Sequence, residues 1–279
     1  MAEPIIVEAN GARIPAIGLG TWQLRGEAAS DAVRWGLEAG YRHIDTAVMY
    51  DNEEAVGAGL RASGVPRDQV FVTTKVWYTD IAPGALERSA EASLKRLRLD
   101  AVDLLLIHWP SGEIPLRDSM RALANAKRRG LARHIGISNF SAKLVEQAVA
   151  ACDEPLVANQ CEYHPYLNQD RVRAACRRHG LAFTSYCPLG KGGLTRDPAI
   201  EAIARAHGKT PAQVVLRWHV QQPSTAAIPK SGNRGRIAEN IGVFDFVLSA
   251  DEMRRISGLA RSDGRMVSPG WALPLDEVA

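Results

Sequence analysis

Asp45, Tyr50, Lys75 and His108 together suit one piece of chemistry, the delivery of a proton to an oxygen on which negative charge develops. A tyrosine hydroxyl titrates near pH ~10 and alone is a poor acid at neutral pH. A neighbouring ammonium favours the tyrosinate and is expected to lower that value. A buried Lys75 is costly unless paired, and Asp45 is the natural partner to keep it charged and aimed. His108 can hydrogen-bond a substrate oxygen. Reduction of a carbonyl by hydride is a reaction of this kind. Taken singly, each residue has a plainer reading: a loop tyrosine, a snorkelling lysine, a rim histidine. The four gain meaning as a set, which requires elements that carry them to one place.

Short apolar runs supply those elements. Candidate strands are Ala16–Gly20, Arg42–Asp45, Val70–Val76, Val102–His108, Ala132–Gly136, Leu156–Gln160, Ala182–Ser185 and Thr225–Ile228. The runs VFVTTKV and VDLLLIH are nearly continuous in apolar character, as in parallel strands buried on both faces. Helical patterns lie between: Ala28–Ala39, Pro83–Leu99, Leu116–Arg129, Ser141–Ala151, Gln169–His179, Asp197–His207 and Thr210–Val220. Several carry a Ser, Asp or Thr cap, an early Pro, or a closing Gly. Eight strands alternating with about eight helices predict a (β/α)8 TIM barrel, with 1–279 as a single barrel domain. Asn10-Gly11 between two short apolar runs predicts an N-terminal β-hairpin cap on the barrel floor.

In a barrel, chemistry gathers at the C-terminal strand ends. Those positions hold Thr21-Trp22, Asp45, Lys75 with Trp77, His108-Trp109, Ser138-Asn139, Gln160, Tyr186 and Lys230-Ser231. Barrel packing asks for Val, Ile and Leu, so polar and aromatic groups at every end point to a site.

Composition narrows the function classes. Of 279 residues, 46% are hydrophobic and 23% charged, as in a folded globular chain. Lys plus Arg exceed Asp plus Glu by 34 − 31 = 3, too little to imply nucleic acid or a membrane surface. No run of about 18 uncharged apolar residues exists, so no transmembrane helix is expected. The opening MAEPIIVEANGARIP lacks the pattern of a secretory signal. Cys152, Cys161, Cys176 and Cys187 form no C-x-x-C pair and read as reduced thiols of a cytoplasmic protein. With no H-x-H or H-E-x-x-H, no metal site is expected. Gly18-x-Gly20 has Gln23 in place of a third glycine, and Gly57-x-Gly59 follows no strand, so both read as packing or turn glycines.

Three long blocks, GYRHIDTAVMYDNEEAVG (40–57), LKRLRLDAVDLLLIHWP (94–110) and IPKSGNRGRIAEN (228–240), resemble the signature segments of the aldo-keto reductases. Shorter blocks, GLGTW, GISNF, NQCEYHP and YCPLG, follow in the family's order. The resemblance covers nearly the whole chain. It is closest to the short bacterial members such as the 2,5-diketo-D-gluconate reductases, including the tail that ends in DEVA. It implies Tyr50 as proton donor, Lys75 and Asp45 as the pair that tunes it, and His108 as the group that orients the carbonyl. It also implies NADPH as the hydride source.

By the same resemblance, Ser138, Asn139 and Gln160 hold the nicotinamide carboxamide and Tyr186 stacks on its ring. Lys230, Ser231 and Arg236 clamp a 2′-phosphate, and Glu239 and Asn240 contact adenine. The loop from Pro188, Leu189 and Gly190 offers glycine backbone to phosphates, and Thr21 joins the cofactor contacts. Trp22, Met49, Trp77 and Trp109 form an apolar pocket wall. The loop Ser111–Pro115 and the tail are short, which implies an open site of broad carbonyl scope and leaves Trp271 open between site and surface. The expected partner is a small-molecule carbonyl substrate, and the expected state is a monomer. Two other classes are weaker: an NADPH-binding regulatory subunit, which turnover would exclude, and a metal-dependent hydrolase, which activity in chelator would exclude.

Overall fold

The computed structural model describes residues 5–276. The last three residues of the expected DEVA tail lie outside them. Strands β1 (Ile6–Ala9) and β2 (Ala12–Pro15) form an antiparallel hairpin. Its turn places Asn10 at φ 43° and Gly11 at φ 88°, the left-handed pair that a tight hairpin needs. The Asn10 amide donates to the carbonyl oxygens of Leu156 (2.8 Å) and His179 (2.9 Å). Leu156 opens a barrel strand, so the hairpin seals the floor as expected.

Eight parallel strands follow: β3 (Leu19–Gly20), β4 (His43–Asp45), β5 (Phe71–Val76), β6 (Val102–Ile107), β7 (Ala132–Ser138), β8 (Leu156–Glu162), β9 (Ala182–Tyr186) and β10 (Thr225–Ala227). Each pairs with the next in sequence. Parallel bridges Ile17–Ala227 and Gly20–Lys230 join the first strand region to the last. Backbone bonds from Gly18 to Ala227 (2.9 Å) and from Gly20 to Pro229 (3.0 Å) reinforce that seam. The sheet therefore closes, as a (β/α)8 barrel requires. Gly20 permits the closure: a Cβ there would stand 2.8 Å from the Ile228 carbonyl oxygen.

The expected helices form, each end within two residues of its expected bound: α1 (Gly26–Glu38), α3 (Ala85–Leu97), α4 (Leu116–Arg128), α5 (Ala142–Ala151), α6 (Asp170–Arg178), α7 (Pro198–His207) and α8 (Pro211–Val220). Ser141, Asp197 and Thr210 cap theirs through their side chains. Three helices go beyond that reading: α2 (Glu53–Ala62), α9 (Arg234–Ile241) and α10 (Ala250–Ser257). Helix α2 hides in its sequence because Gly57 and Gly59 are poor helix formers. Packing demands them. A Cβ at Gly57 would meet the Leu97 carbonyl oxygen at 2.3 Å, and one at Gly59 the Ser30 carbonyl oxygen at 2.4 Å. Both glycine pairs are thus close-approach positions, as read from the sequence.

Candidate active site

All four groups of the proposed set meet at the mouth formed by the C-terminal strand ends. Asp45 ends β4, Lys75 lies one residue from the end of β5, and His108 follows β6. Tyr50 sits on a single 3-10 turn, Val48–Tyr50, that Asp51 closes in the left-handed region. Lys75 Nζ donates to Asp45 Oδ1 at 2.6 Å, to the Thr46 carbonyl oxygen at 2.9 Å and to the Tyr50 hydroxyl oxygen at 3.3 Å. Lys75 and Asp45 are essentially without exposure, so this is a buried, fully bonded ion pair.

The network continues around the barrel. Gln160 donates its amide to Asp45 Oδ2 at 2.8 Å, and Ser138 Oγ donates to the Gln160 carbonyl oxygen at 2.8 Å. The Asn139 amide donates to the His108 carbonyl oxygen at 2.9 Å and accepts from the Tyr186 hydroxyl at 2.8 Å. Asn139 takes a positive φ of 63°, which lets its side chain turn back between these strands. Residues expected on separate grounds as catalytic and as cofactor-binding thus share one hydrogen-bonded belt. Thr21 is joined to it, its hydroxyl donating to the Asp45 carbonyl oxygen at 2.9 Å.

The electrostatics correct one expectation. Tyr50 lies well above its ordinary value, first through burial and then through the negative charge of Asp45 and the Cys187 thiolate form. Lys75 donates to the hydroxyl oxygen at 3.3 Å, but burial and the Asp45 charge outweigh it. Lys75 is itself lowered, by burial that the Asp45 charge opposes. His108 lies well below 6.5, through burial and the Lys75 charge, so the ring is neutral at physiological pH. Its Nδ1 is buried without a hydrogen-bond partner among the described residues.

Aromatic rings wall the mouth. Trp22 stands 4.9 Å from the Tyr50 ring, and Trp77 meets the His108 ring edge-on at 5.2 Å. Met49 and Trp22 are exposed and Trp109 is buried. The tail reaches this rim. Trp271 stacks on Tyr78 at 4.3 Å and meets Trp77 and Trp109 edge-on at 5.4 Å each. Trp271, itself partly exposed, thus packs against two of the expected pocket residues.

The second group of expected cofactor residues lies apart from the belt, across β10. Lys230 and Arg236 are exposed and in no ion pair among the described residues, while Ser231 is buried. Asn233 caps α9 by accepting from the Arg236 N–H at 3.0 Å, and Ser231 Oγ accepts from the Asn233 N–H at 3.1 Å. Asn240 is buried, and Glu239 accepts from the Thr210 hydroxyl at 2.7 Å. Pro188, Leu189 and Gly190 lead from β9 into a run of tight turns, Gly190–Arg196.

Sequence reasoning missed several supports. Asn52 is buried and fastens the Tyr50 turn: it accepts from the Thr46 hydroxyl at 2.7 Å and donates to the carbonyl oxygens of Thr21 and Leu24, each at 2.9 Å. Glu53, the buried first residue of α2, accepts from the Thr74 hydroxyl and from Arg96 and so ties the start of that helix to β5 and α3. Tyr78 was unmarked because its partner lies far along the chain. Glu162 was visible within NQCEYHP but had no assigned role.

A closed α/β barrel with a paired lysine, a tyrosine and a neutral histidine at its mouth defines a class of enzyme architecture. Comparison with known proteins narrows it. The model of the Aldo/keto reductase family matches residues 16–261. The chain is 43% identical to methylglyoxal reductase DkgB of Escherichia coli O157:H7, over 94% of this chain and 98% of that one. It is 44% identical to a 9,11-endoperoxide prostaglandin H2 reductase of Trypanosoma cruzi, over 90% and 89%. A variant of Gox0644 solved in complex with NADPH superposes with a TM-score of 0.89 at 38% identity, over 95% and 97% of the two chains. This chain belongs to the aldo/keto reductase family.

Proposed function

We propose that this protein is an NADPH-dependent reductase that converts small aldehydes and ketones, including dicarbonyls, to alcohols, with Tyr50 as the proton donor. The observation that carries the reading is the three-way bonding of Lys75 to Asp45, Thr46 and Tyr50 at the mouth of the barrel.

The donor set fits the cofactor. Gln160 spends its amide N–H on Asp45 and keeps its carbonyl oxygen for a carboxamide N–H. Ser138 and Asn139 stand beside it, and Tyr186 offers an aromatic face. Lys230 and Arg236, with Ser231, suit a 2′-phosphate. Glu239 and Asn240 lie along the same helix for the adenine, and Thr21, Pro188, Leu189 and Gly190 would complete the cofactor contacts. NADPH, when bound, supplies the hydride.

The chain's own residues supply the proton. A hydroxyl has one hydrogen to donate and two lone pairs to accept with. Lys75 occupies an acceptor site on the Tyr50 oxygen and leaves the phenolic hydrogen for the substrate oxygen. The raised value keeps Tyr50 protonated until it is needed. As the proton leaves, the phenolate oxygen gains a charge-assisted bond from Lys75 that the neutral phenol uses less. His108, neutral, donates to the same carbonyl oxygen without competing as an acid. The apolar wall of Trp22, Met49, Trp77 and Trp109 excludes water and holds the apolar part of the substrate.

We further propose one domain over 1–279, a monomeric state and a cytoplasmic location; among the described residues no helix is long and apolar enough to cross a membrane. The test is NADPH consumption with methylglyoxal and with a panel of aldehydes, in the presence of chelator. Metal-independent turnover supports the reading, and stoichiometric NADPH binding without turnover of any carbonyl supports the regulatory alternative instead.

A further inference from the structure

Glu162 is fully buried, at the very end of β8, yet the proposed chemistry does not use it. Its Oε1 accepts from the Met266 N–H at 2.7 Å and its Oε2 from the Val267 N–H at 2.9 Å. His164, also buried, bonds Oε1 through Nε2 at 3.0 Å. A carboxylate taking two consecutive backbone N–H groups fixes both position and direction of that backbone. The segment it fixes is the start of the tail. Lys191 donates to the Met266 carbonyl oxygen at 3.1 Å and adds a second tie at the same point. At the far end, Asp276 accepts from the Ala142 N–H at 2.6 Å. Trp271 lies between these two fastenings, where it stacks on Tyr78 and abuts Trp77 and Trp109.

We infer that Glu162 is a positioning residue for substrate selection: by clamping the backbone of Met266 and Val267 it holds the Trp271 indole as a fixed wall of the pocket, and so favours carbonyls with a large planar apolar group. The inference rests on the reductase reading of the site. Three residues separate Val267 from Trp271, so a tail released at the clamp can carry the indole off Tyr78. A structural role alone would lower stability without changing which substrate is preferred.

The test compares 2-naphthaldehyde, which reaches the wall, with methylglyoxal, which is too small to need it. The ratio of their kcat/KM values is measured for the unaltered protein, Glu162→Gln, Trp271→Ala and the double variant. The amide keeps the volume of Glu162 but cannot accept from both N–H groups through two carboxylate oxygens. Each single change is expected to lower the ratio about tenfold, equivalent to about 1.4 kcal/mol of stacking and burial. The double variant is expected to lower it little further, because both changes remove the same wall. Amide hydrogen exchange over 264–272 should quicken in Glu162→Gln and not in Trp271→Ala at Met266 and Val267. An unchanged ratio in folded Trp271→Ala overturns the inference, as does additivity in the double variant. Should Glu162→Gln fail to fold, Trp271→Ala and Tyr78→Ala decide the wall, and Lys191→Ala, which loosens the same backbone, decides the clamp. If the unaltered protein reduces neither aldehyde, the reductase reading itself has failed, which is a different result.

Discussion

Replacing Lys75 by methionine removes three hydrogen bonds at once and leaves two buried groups without their partner. Asp45 keeps its bond from Gln160 but loses the ammonium at 2.6 Å, and the Thr46 carbonyl loses its 2.9 Å donor. Breaking a buried ion pair from one side costs about 3–5 kcal/mol, most of it the penalty of an uncompensated charge. At about 2–4 °C per kcal/mol for a chain of this size, the melting temperature should fall by roughly 10 °C. The double variant Asp45→Asn, Lys75→Met removes the stranded charge as well and should recover at least half of that loss. Carbonyl reduction should be lost in both, by about 100-fold or more, because the phenolate of Tyr50 has no cation to form against. Thermal melts followed by circular dichroism and NADPH consumption with an aldehyde measure the two effects separately. The reasoning is refuted if Lys75→Met melts like the unaltered protein, or if the double variant is no more stable than the single one.

Arg236→Ala should weaken NADPH binding about 10- to 100-fold and NADH binding by less than about threefold, as loss of a charge-assisted phosphate contact predicts; equal losses in fluorescence titrations with the two cofactors would sink the assignment. Burial lowers His43, His108 and His219, the last to about 4. Their folded values lie below the unfolded value of about 6.5, so the stability they contribute is complete above that pH. For His219 it is lost as the pH falls from about 6.5 toward about 4, with His43 and His108 acting in the same direction, and urea midpoints should drop between pH 7.5 and 4.5. For the same reason kcat should show no inflection near pH ~6.5 from His108, and a loss of rate should come only on the alkaline side as Tyr50 ionises.

The barrel was legible because its strands are short, apolar and separated by capped helices, and all eight were placed. Helix α2 was not, since Gly57 and Gly59 serve contacts with Leu97 and Ser30 that lie in other helices. The belt from Asp45 to Tyr186 was legible as residues at strand ends. That Gln160 bonds Asp45 directly, 115 positions away, was not. The upward shift of Tyr50 was not legible, because its largest cause is burial, which tertiary packing sets, with the Asp45 charge second. Where Trp271 folds was not legible from the length of the tail, and its stacking on Tyr78 joins segments that share no motif.

The central claim is that Tyr50 delivers the proton. Tyr50→Phe removes one hydroxyl oxygen and keeps the ring between Trp22 and His108. The most direct measurement is single-turnover reduction of an aldehyde by NADPH in this variant, beside a titration of NADPH binding. The account predicts a fall in the rate of about 100- to 10,000-fold, the worth of a positioned general acid, with NADPH bound as tightly as before. A rate within a few-fold of the unaltered enzyme, with the cofactor equally bound, would contradict it.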